Sequence, residues 1–153
     1  MTISKGQQAP AFTLIDSERN EVSLSDFKGK KLLILFYPGA FSGVCTDELC
    51  VVRDDMNSYS SLNINIVGIS TDTVFTLKKF KEINKLEFPL LSDYNKEVCG
   101  LYGAQYDEWI LGMKGPAKRS AFVIDENGTL IHSEVLESAG DLPDFNQIKS
   151  AVS

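Results

Sequence analysis

Residues 31–59 read KLLILFYPGAFSGVCTDELCVVRDDMNSY, an apolar run followed by a loop and an amphipathic segment. Residues 32–37 are almost continuously apolar, which is typical of a β-strand covered on both faces. Pro38-Gly39 ends that run. The segment after the loop repeats one helix face through Cys45, Leu49, Val52, Met56 and Tyr59. This stretch therefore predicts a buried strand, a turn and a helix.

The segments around this unit predict further strands and helices. Thr71-Asp72 stands where a helix cap is expected, and apolar residues follow every three positions from Val74 to Ile83. Asn127-Gly128, a strong two-residue hairpin signal, separates two apolar segments near the C-terminus. The predicted elements are a hairpin of residues 11–15 and 22–24, strands at 63–70 and 88–91, helices at 74–83 and 95–102, a hairpin of 120–125 and 129–136, and a helix from Pro143.

This order of elements predicts an α/β fold in a single domain of residues 1–153. A thioredoxin-like fold satisfies the order. It has a central mixed sheet flanked by helices, right-handed crossovers between parallel strands and, in this chain, an N-terminal β-hairpin extension. The length of 153 residues and a hydrophobic share of 43% agree with one packed domain rather than a disordered chain.

Charge and hydropathy disfavour two classes of partner. The 15 Lys and Arg against 21 Asp and Glu give a formal charge of −6, which repels phosphate backbones, so we expect no nucleic acid partner. Residues 32–37, the strongest apolar run, are too few to cross a membrane, and the N-terminal residues contain no signal-like apolar run. We therefore expect a cytoplasmic protein in a reducing compartment, where stable disulfides are rare.

Three cysteines and one histidine limit the chemistry further. Cys45, Cys50, Cys99 and His132 show no short pairing of the kind that holds structural zinc, and three cysteines do not make a disulfide scaffold. A cysteine–histidine protease would have to use the only histidine in the chain, so the sequence disfavours that mechanism.

Cys45 is the candidate nucleophile because of its predicted place at the start of a helix that follows a buried strand. Unpaired N–H groups and the positive end of the helix dipole stabilise a thiolate there, and we expect Asp47 and Glu48 in the same first turn. An inert buried thiol is the common alternative for a free cysteine. The rigid turn at Pro38-Gly39 and the hydroxyl of Ser42 favour a reactive thiol, because burying a cysteine requires neither.

Residues 37–48, YPGAFSGVCTDE, resemble the active-site loop of peroxiredoxins, whose pattern is Pro, three residues, Thr or Ser, two residues and the peroxide-reacting Cys. Residues 118–125, KRSAFVID, resemble the strand that carries the family's active-site arginine, which corresponds to Arg119. The segments GQQAPAFTL and DFKGKKLLILFYP also match the N-terminal half of the family. The closest branches are the bacterioferritin-comigratory, or PrxQ-type, peroxiredoxins and the one-Cys AhpE-like peroxiredoxins.

The resemblance implies an antioxidant, thiol-dependent peroxidase. In this interpretation the Cys45 thiolate attacks the O–O bond of hydrogen peroxide or an organic hydroperoxide and becomes a sulfenic acid. Arg119 would hold the thiolate and polarise the peroxide. Ser42, which stands where Thr is usual, would form a hydrogen bond with the peroxide, and Pro38 would shield the thiolate from water.

Two further residues and an absence of cofactors follow from the same resemblance. Backbone N–H groups near Val44 and Cys45 would stabilise charge as the O–O bond lengthens. Glu48 would orient an arginine of the site. The chemistry implies no metal and no bound organic cofactor.

The PrxQ-type resemblance implies that Cys50, five residues after Cys45, resolves the sulfenic acid as an intramolecular disulfide. In an intact helix the two Cα atoms lie roughly 8.7 Å apart, whereas disulfides need about 7 Å or less. A Cys45–Cys50 disulfide therefore requires the helix to unwind around residues 42–54. Cys99 is a rival resolving residue, and resolution by an external thiol is the third alternative.

The expected partners are a hydroperoxide substrate and a thioredoxin- or glutaredoxin-like reductant, with the chain as a monomer or small homodimer. A redox-sensing interaction protein, in which oxidation of Cys45 exposes an unwound helix, is the alternative from a different functional class. The presence of Ser42 and Arg119 favours the enzyme, because a sensor needs a reactive cysteine but no hydroxyl to hold a peroxide.

Overall fold

A mixed β-sheet of seven strands organises the computed structural model, which describes residues 3–153. The strands are β1 (Thr13–Asp16), β2 (Glu21–Ser23), β3 (Lys31–Phe36), β4 (Ile64–Ser70), β5 (Leu90–Ser92), β6 (Ser120–Ile124) and β7 (Leu130–Val135). The helices are α1 (Gly43–Asp54), α2 (Met56–Ser61), α3 (Val74–Asn84), α4 (Val98–Leu101) and α5 (Phe145–Val152).

The strands lie in the order β2-β1-β5-β4-β3-β6-β7. The central pairs β3–β4 and β4–β5 are parallel, and all the other pairs are antiparallel. Helices cover the sheet, and the β1–β2 hairpin extends its N-terminal edge. The predicted thioredoxin-like α/β fold is confirmed. Within the described residues, no helix combines the length and the apolar character needed to cross a membrane.

The sheet separates two hydrophobic cores, one on each face, and β3 contributes side chains to both. Successive side chains of a strand point to opposite faces, so Leu33 and Leu35 lie in one core and Leu32 and Ile34 in the other. The first core contains Cys45 and is covered by α1, α3 and α5, and we call it the Cys45 core. All four leucine and isoleucine side chains are fully buried, as the continuous apolar run predicted.

The predicted single helix after Cys45 is wrong in one respect, because it breaks at Asp55 into α1 and α2. Asp55 has a non-helical backbone (φ −113°, ψ 20°). Its carboxylate accepts hydrogen bonds from Ser58 Oγ and Lys149 Nζ. An aspartate that bonds locally competes with helix continuation. Tyr59 is nevertheless buried as expected, because the chain continues along the same face.

Other predicted boundaries also differ by a few residues, and one predicted core position is exposed. Thr73, not Thr71-Asp72, caps α3, since its Oγ1 accepts the N–H of Thr76. Ile83 is exposed although it continues the three-residue repeat. Each step of three residues falls about 60° short of a full helical turn, so the repeat drifts around the helix. The short helix predicted at residues 95–102 is limited to α4, and α5 begins after the cap residue Asp144 rather than at Pro143.

Gly68 in β4 provides a test of the packing in the Cys45 core. A Cβ atom at this position would lie 2.9 Å from Leu90 Cδ2 and 3.3 Å from Tyr37 Cε1. Both side chains are fully buried and have little room to move. We expect Gly68→Ala to lower the free energy of unfolding by about 1–3 kcal/mol, measured by urea denaturation. Gly140→Ala is the control, because its Cβ would meet only Ser138 Oγ at 3.7 Å; equal stability of the two variants would contradict this packing.

Candidate active site

Cys45 is the third residue of α1, directly after the loop that follows β3. Ser42 is the cap residue, and the first bond of the helix joins Thr46 N–H to Ser42 O at 2.9 Å. The N–H groups of residues 43–45 precede this bond, so they have no acceptor within the helix. Asp47 and Glu48 lie in the second turn rather than the first, so neither of them complements the helix dipole at its start.

Arg119 reaches the sulfur of Cys45 from the strand beside β3. Residue 120 pairs with Phe36 in antiparallel register, which places the start of β6 next to the end of β3. The guanidinium Nη2 lies 3.2 Å from Cys45 Sγ, and both side chains are buried. The sulfur therefore has a buried, charged hydrogen-bond donor as its neighbour. The register of the sheet therefore joins two residues that are 74 positions apart.

Glu48 holds the other side of the same guanidinium. Its Oε1 accepts from Arg119 Nη1 at 2.7 Å, and its side chain is fully buried. Oε2 is buried without a hydrogen-bond partner among the described residues. Burial raises the pKa of Glu48 to about 7, although the contacts with Arg119 oppose that shift. One buried cation thus lies between two acidic groups, the Cys45 thiol and the Glu48 carboxyl.

The carbonyl of Ala139 completes the surroundings of the guanidinium, and sequence reasoning missed it. It accepts from Arg119 Nε at 3.3 Å and from Nη2 at 3.0 Å. The loop that carries it is tied to Arg119 again, because Leu136 N–H donates to Arg119 O at 2.9 Å. A backbone carbonyl can belong to any residue, so nothing in the sequence marks Ala139.

Pro38 and Ser42, in the loop that leads to Cys45, line a cleft of about 690 Å³. Cys45 itself is buried and is not among the residues that line it. Trp109, Lys114 and other residues of the segment 109–116 form its opposite side. The hydroxyl of Ser42 donates its proton to Gly39 O at 2.8 Å. Its oxygen still has lone pairs, so in this geometry Ser42 is an acceptor for a ligand that carries an O–H group.

The other two cysteines lie in different environments. Cys50 is half-buried on α1, and its Sγ lies 3.7 Å from Asn84 Oδ1 at the end of α3. Cys99 is buried in the core on the opposite face of the sheet from Cys45. Burial raises the pKa of Cys99 to about 12, and the nearby Asp93 contributes to that increase. Cys99 therefore remains a neutral thiol at physiological pH.

Taken together, the site is a buried thiol at a helix N-terminus, in contact with an arginine and next to a cleft. The predicted residues Cys45, Glu48 and Arg119 are in direct contact through the guanidinium. The N–H of Val44 is one of the three at the start of α1 that have no acceptor within the helix. Ser42 occupies the cap position, but its side chain bonds to Gly39 O and not to the helix. Such a site can hold a thiolate and stabilise negative charge on a small electrophile beside it.

Comparisons of the sequence and of the structure with known proteins find related proteins over most of the chain. Residues 5–133 match the model of the AhpC/TSA family. The Escherichia coli K12 peroxiredoxin Bcp is 35% identical over 131 residues, which cover 85% of this chain and 84% of that protein. A relative from Haemophilus influenzae that also carries the name bcp is 40% identical over 130 residues, with 84% of each protein covered. The crystal structure of peroxidoxin BcpB from Mycobacterium tuberculosis has a TM-score of 0.86 at 29% identity, covering 98% of this chain and 96% of that one.

Cys45 and Glu48 share one cation, so we expect removal of the Glu48 charge to change how the rate of Cys45 oxidation depends on pH. Glu48→Gln keeps an oxygen that accepts from Arg119 Nη1 but removes the buried negative charge near Cys45. We expect the rate at which hydrogen peroxide oxidises Cys45 to rise at lower pH in this variant than in the wild type, measured by stopped-flow mixing across a pH series.

Asp47→Asn is the matched control, because Asp47 is an exposed carboxylate on the same helix. Its pH profile should coincide with that of the wild type. An unchanged profile for Glu48→Gln, or one displaced to higher pH, would contradict an effect of the shared cation on Cys45.

Proposed function

The chain belongs to the AhpC/TSA family and is a peroxiredoxin-type thiol peroxidase that acts on a hydroperoxide, and from this premise we propose that Cys45 is the residue that attacks the peroxide. The observation that supports this assignment is the 3.2 Å contact between Arg119 Nη2 and Cys45 Sγ at the N-terminus of α1. The contact gives this thiol a buried cationic partner, whereas among residues 3–153 no cation contacts the buried Cys99.

In the proposed first step, an S–O bond forms between Cys45 and one peroxide oxygen while the O–O bond breaks. Cys45 becomes a sulfenic acid, and the leaving oxygen takes up a proton and departs as water or an alcohol. Negative charge moves from sulfur to the leaving oxygen during this step. Arg119 and the N–H groups of Val44 and Cys45, which have no acceptor within the helix, would stabilise that charge.

Ser42 and Pro38 are proposed to shape the approach of the substrate. The Ser42 oxygen would accept the O–H of the hydroperoxide, since its own proton is engaged by Gly39 O. Pro38 forms a buried wall of the cleft and would limit the access of water. Hydrogen peroxide and organic hydroperoxides both fit this scheme, because only the O–O–H group takes part in it.

For the second step we propose that Cys50 attacks the sulfenic acid, which gives a Cys45–Cys50 disulfide and water. Both residues lie in the continuous helix α1, where their Cα atoms are roughly 8.7 Å apart by helix geometry. Cys50 must also leave Asn84 Oδ1, and nearby Arg53 Nη1 donates to Asn84 O at 2.6 Å. The disulfide therefore requires α1 to unwind and to separate from the end of α3.

The remaining parts of the cycle stay predictions. A thioredoxin- or glutaredoxin-like dithiol would reduce the disulfide and return both thiols. A monomer or small homodimer in the cytoplasm is the expected working form.

Three single variants assign the cysteines. Cys45→Ser should abolish peroxide consumption with dithiothreitol as reductant. Cys50→Ser should still form the sulfenic acid but no intramolecular disulfide, and Cys99→Ser should behave as the wild type. Mass spectrometry of peroxide-treated protein detects the disulfide. Loss of the disulfide in Cys99→Ser alone would overturn the role of Cys50, and its absence from the wild type would favour an external thiol. Oxidation without turnover would favour the redox sensor.

Oxidation should also change the hydrogen exchange of α1. We expect amides of residues 43–54 to exchange faster in the disulfide form than in the reduced form, because the helix must unwind to bring the sulfurs together. Amides of β4, which is paired on both sides in the centre of the sheet, serve as the internal control. Equal exchange of α1 in both forms would contradict a Cys45–Cys50 disulfide.

A further inference from the structure

Asp72 lies between β4 and α3, where the sequence predicted a helix cap, but its carboxylate does not cap α3. Instead Oδ2 accepts the backbone N–H of Ala40 at 2.8 Å. The same oxygen accepts the hydroxyl of Ser70 at 2.7 Å. Asp72 therefore joins the end of β4 to the loop that precedes α1, and this contact spans 32 positions of the sequence.

The backbone and carboxylate of Asp72 are themselves held in place by two strands. Ser70, the fully buried last residue of β4, also accepts the N–H of Asp72 at 3.3 Å. Ser92, the last residue of β5, donates its hydroxyl to Asp72 O. Both strands belong to the centre of the sheet. The carboxylate therefore has a defined position, and its hydrogen bond to Ala40 N–H holds the loop relative to the sheet.

The loop must be held by its surroundings because Phe41 has a left-handed backbone, with φ 69°. A bulky residue without a glycine's freedom adopts this conformation only where its surroundings impose it. Asp72 holds the N–H of Ala40 on one side of Phe41. On the other side Ser42 Oγ donates to Gly39 O, so the strained residue is held from both sides.

We propose that Asp72 is a positioning residue of the peroxidase: its carboxylate fixes the loop at Ala40 and thereby holds Ser42 in the orientation that receives the hydroperoxide. The proposal rests on the proposed function of Cys45 and Ser42. Asp72 lines the same cleft as Ser42 and acts on the reaction through the loop.

Two variants separate the shape of Asp72 from its charge. Asp72→Asn keeps an oxygen that can accept both hydrogen bonds, whereas Asp72→Ala removes them. The expected loss for Asp72→Ala is about 10-fold to 100-fold in the second-order rate of Cys45 oxidation by hydrogen peroxide, since small displacements of positioning groups cost this much. Asp72→Asn should retain most of the wild-type rate.

Alkylation of Cys45 by iodoacetamide distinguishes a positioning role from a general structural role. A general structural defect would slow alkylation as well as the peroxide reaction. Alkylation needs the thiolate but no hydroxyl to hold a peroxide, and Arg119 is untouched in both variants. We expect Asp72→Ala to keep a near wild-type alkylation rate while its peroxide rate falls. Equal slowing of both reactions would show a general structural defect and would overturn the proposal.

Asp16→Ala is the matched control for loss of a carboxylate that organises backbone. Asp16 accepts the N–H groups of Glu18 at 2.9 Å and Asn20 at 2.8 Å in the β1–β2 hairpin, which forms one edge of the sheet. This variant should lose stability without losing peroxide rate. A slower peroxide reaction in Asp16→Ala as well would show that reduced stability alone explains the effect of Asp72→Ala.

Ser70→Ala keeps the proposal testable if Asp72→Ala does not fold. This change frees the carboxylate from β4, so a smaller slowing of the peroxide reaction is expected. In the double variant the two effects should not add, because both act through one carboxylate.

A wild-type peroxide rate in Asp72→Ala or in Ser70→Ala would overturn the proposal. An Asp72→Asn rate as low as that of Asp72→Ala would also overturn it. A wild-type protein that consumes no peroxide would instead overturn the proposed function.

Discussion

The buried guanidinium of Arg119 is the interaction on which the site depends. A cation removed from water costs several kcal/mol unless charged or polar groups surround it. Here Glu48, Cys45 and the carbonyl of Ala139 share its donors. The same contacts that compensate the buried charge also direct the guanidinium toward the sulfur of Cys45.

The sheet brings these groups together. Parallel pairing of β3 with β4 and antiparallel pairing of β3 with β6 place three chain segments at one end of the central strand. The loop before α1 leaves from β3, Asp72 follows β4, and Arg119 precedes β6. Since each strand end is set by backbone hydrogen bonds, the site is built on the paired centre of the sheet. The unwinding that a Cys45–Cys50 disulfide requires would affect α1 and leave the sheet intact.

Much of the fold could be predicted from the sequence, because its signals are local. The apolar run of β3, the helix face that starts at Cys45 and the Asn127-Gly128 turn each depend on neighbouring residues. The place of Cys45 at the start of a helix was predictable for the same reason. Glu48 was expected near an arginine only through the family resemblance, and its full burial follows from the inward turn of α1.

The contacts that could not be predicted join residues far apart in the sequence or involve backbone atoms. Ala139 acts through its carbonyl, which has no signature in the sequence. Asp72 resembles a helix cap locally, yet its carboxylate bonds to a loop 32 positions away. Asp55, where the predicted helix breaks, is bonded to Lys149, which is 94 positions distant. Each of these contacts joins residues that are far apart in the sequence.

The most direct measurement of the central claim is the second-order rate at which hydrogen peroxide oxidises Cys45 in Arg119→Met. Methionine fills the space without charge, and the raised pKa of Glu48 allows that carboxyl to become neutral in the variant. If Arg119 holds the thiolate and stabilises the leaving oxygen, the rate should fall by about 10²-fold to 10³-fold near neutral pH, the typical cost of losing one such donor. A folded Arg119→Met protein that reacts with peroxide at the wild-type rate would contradict the account.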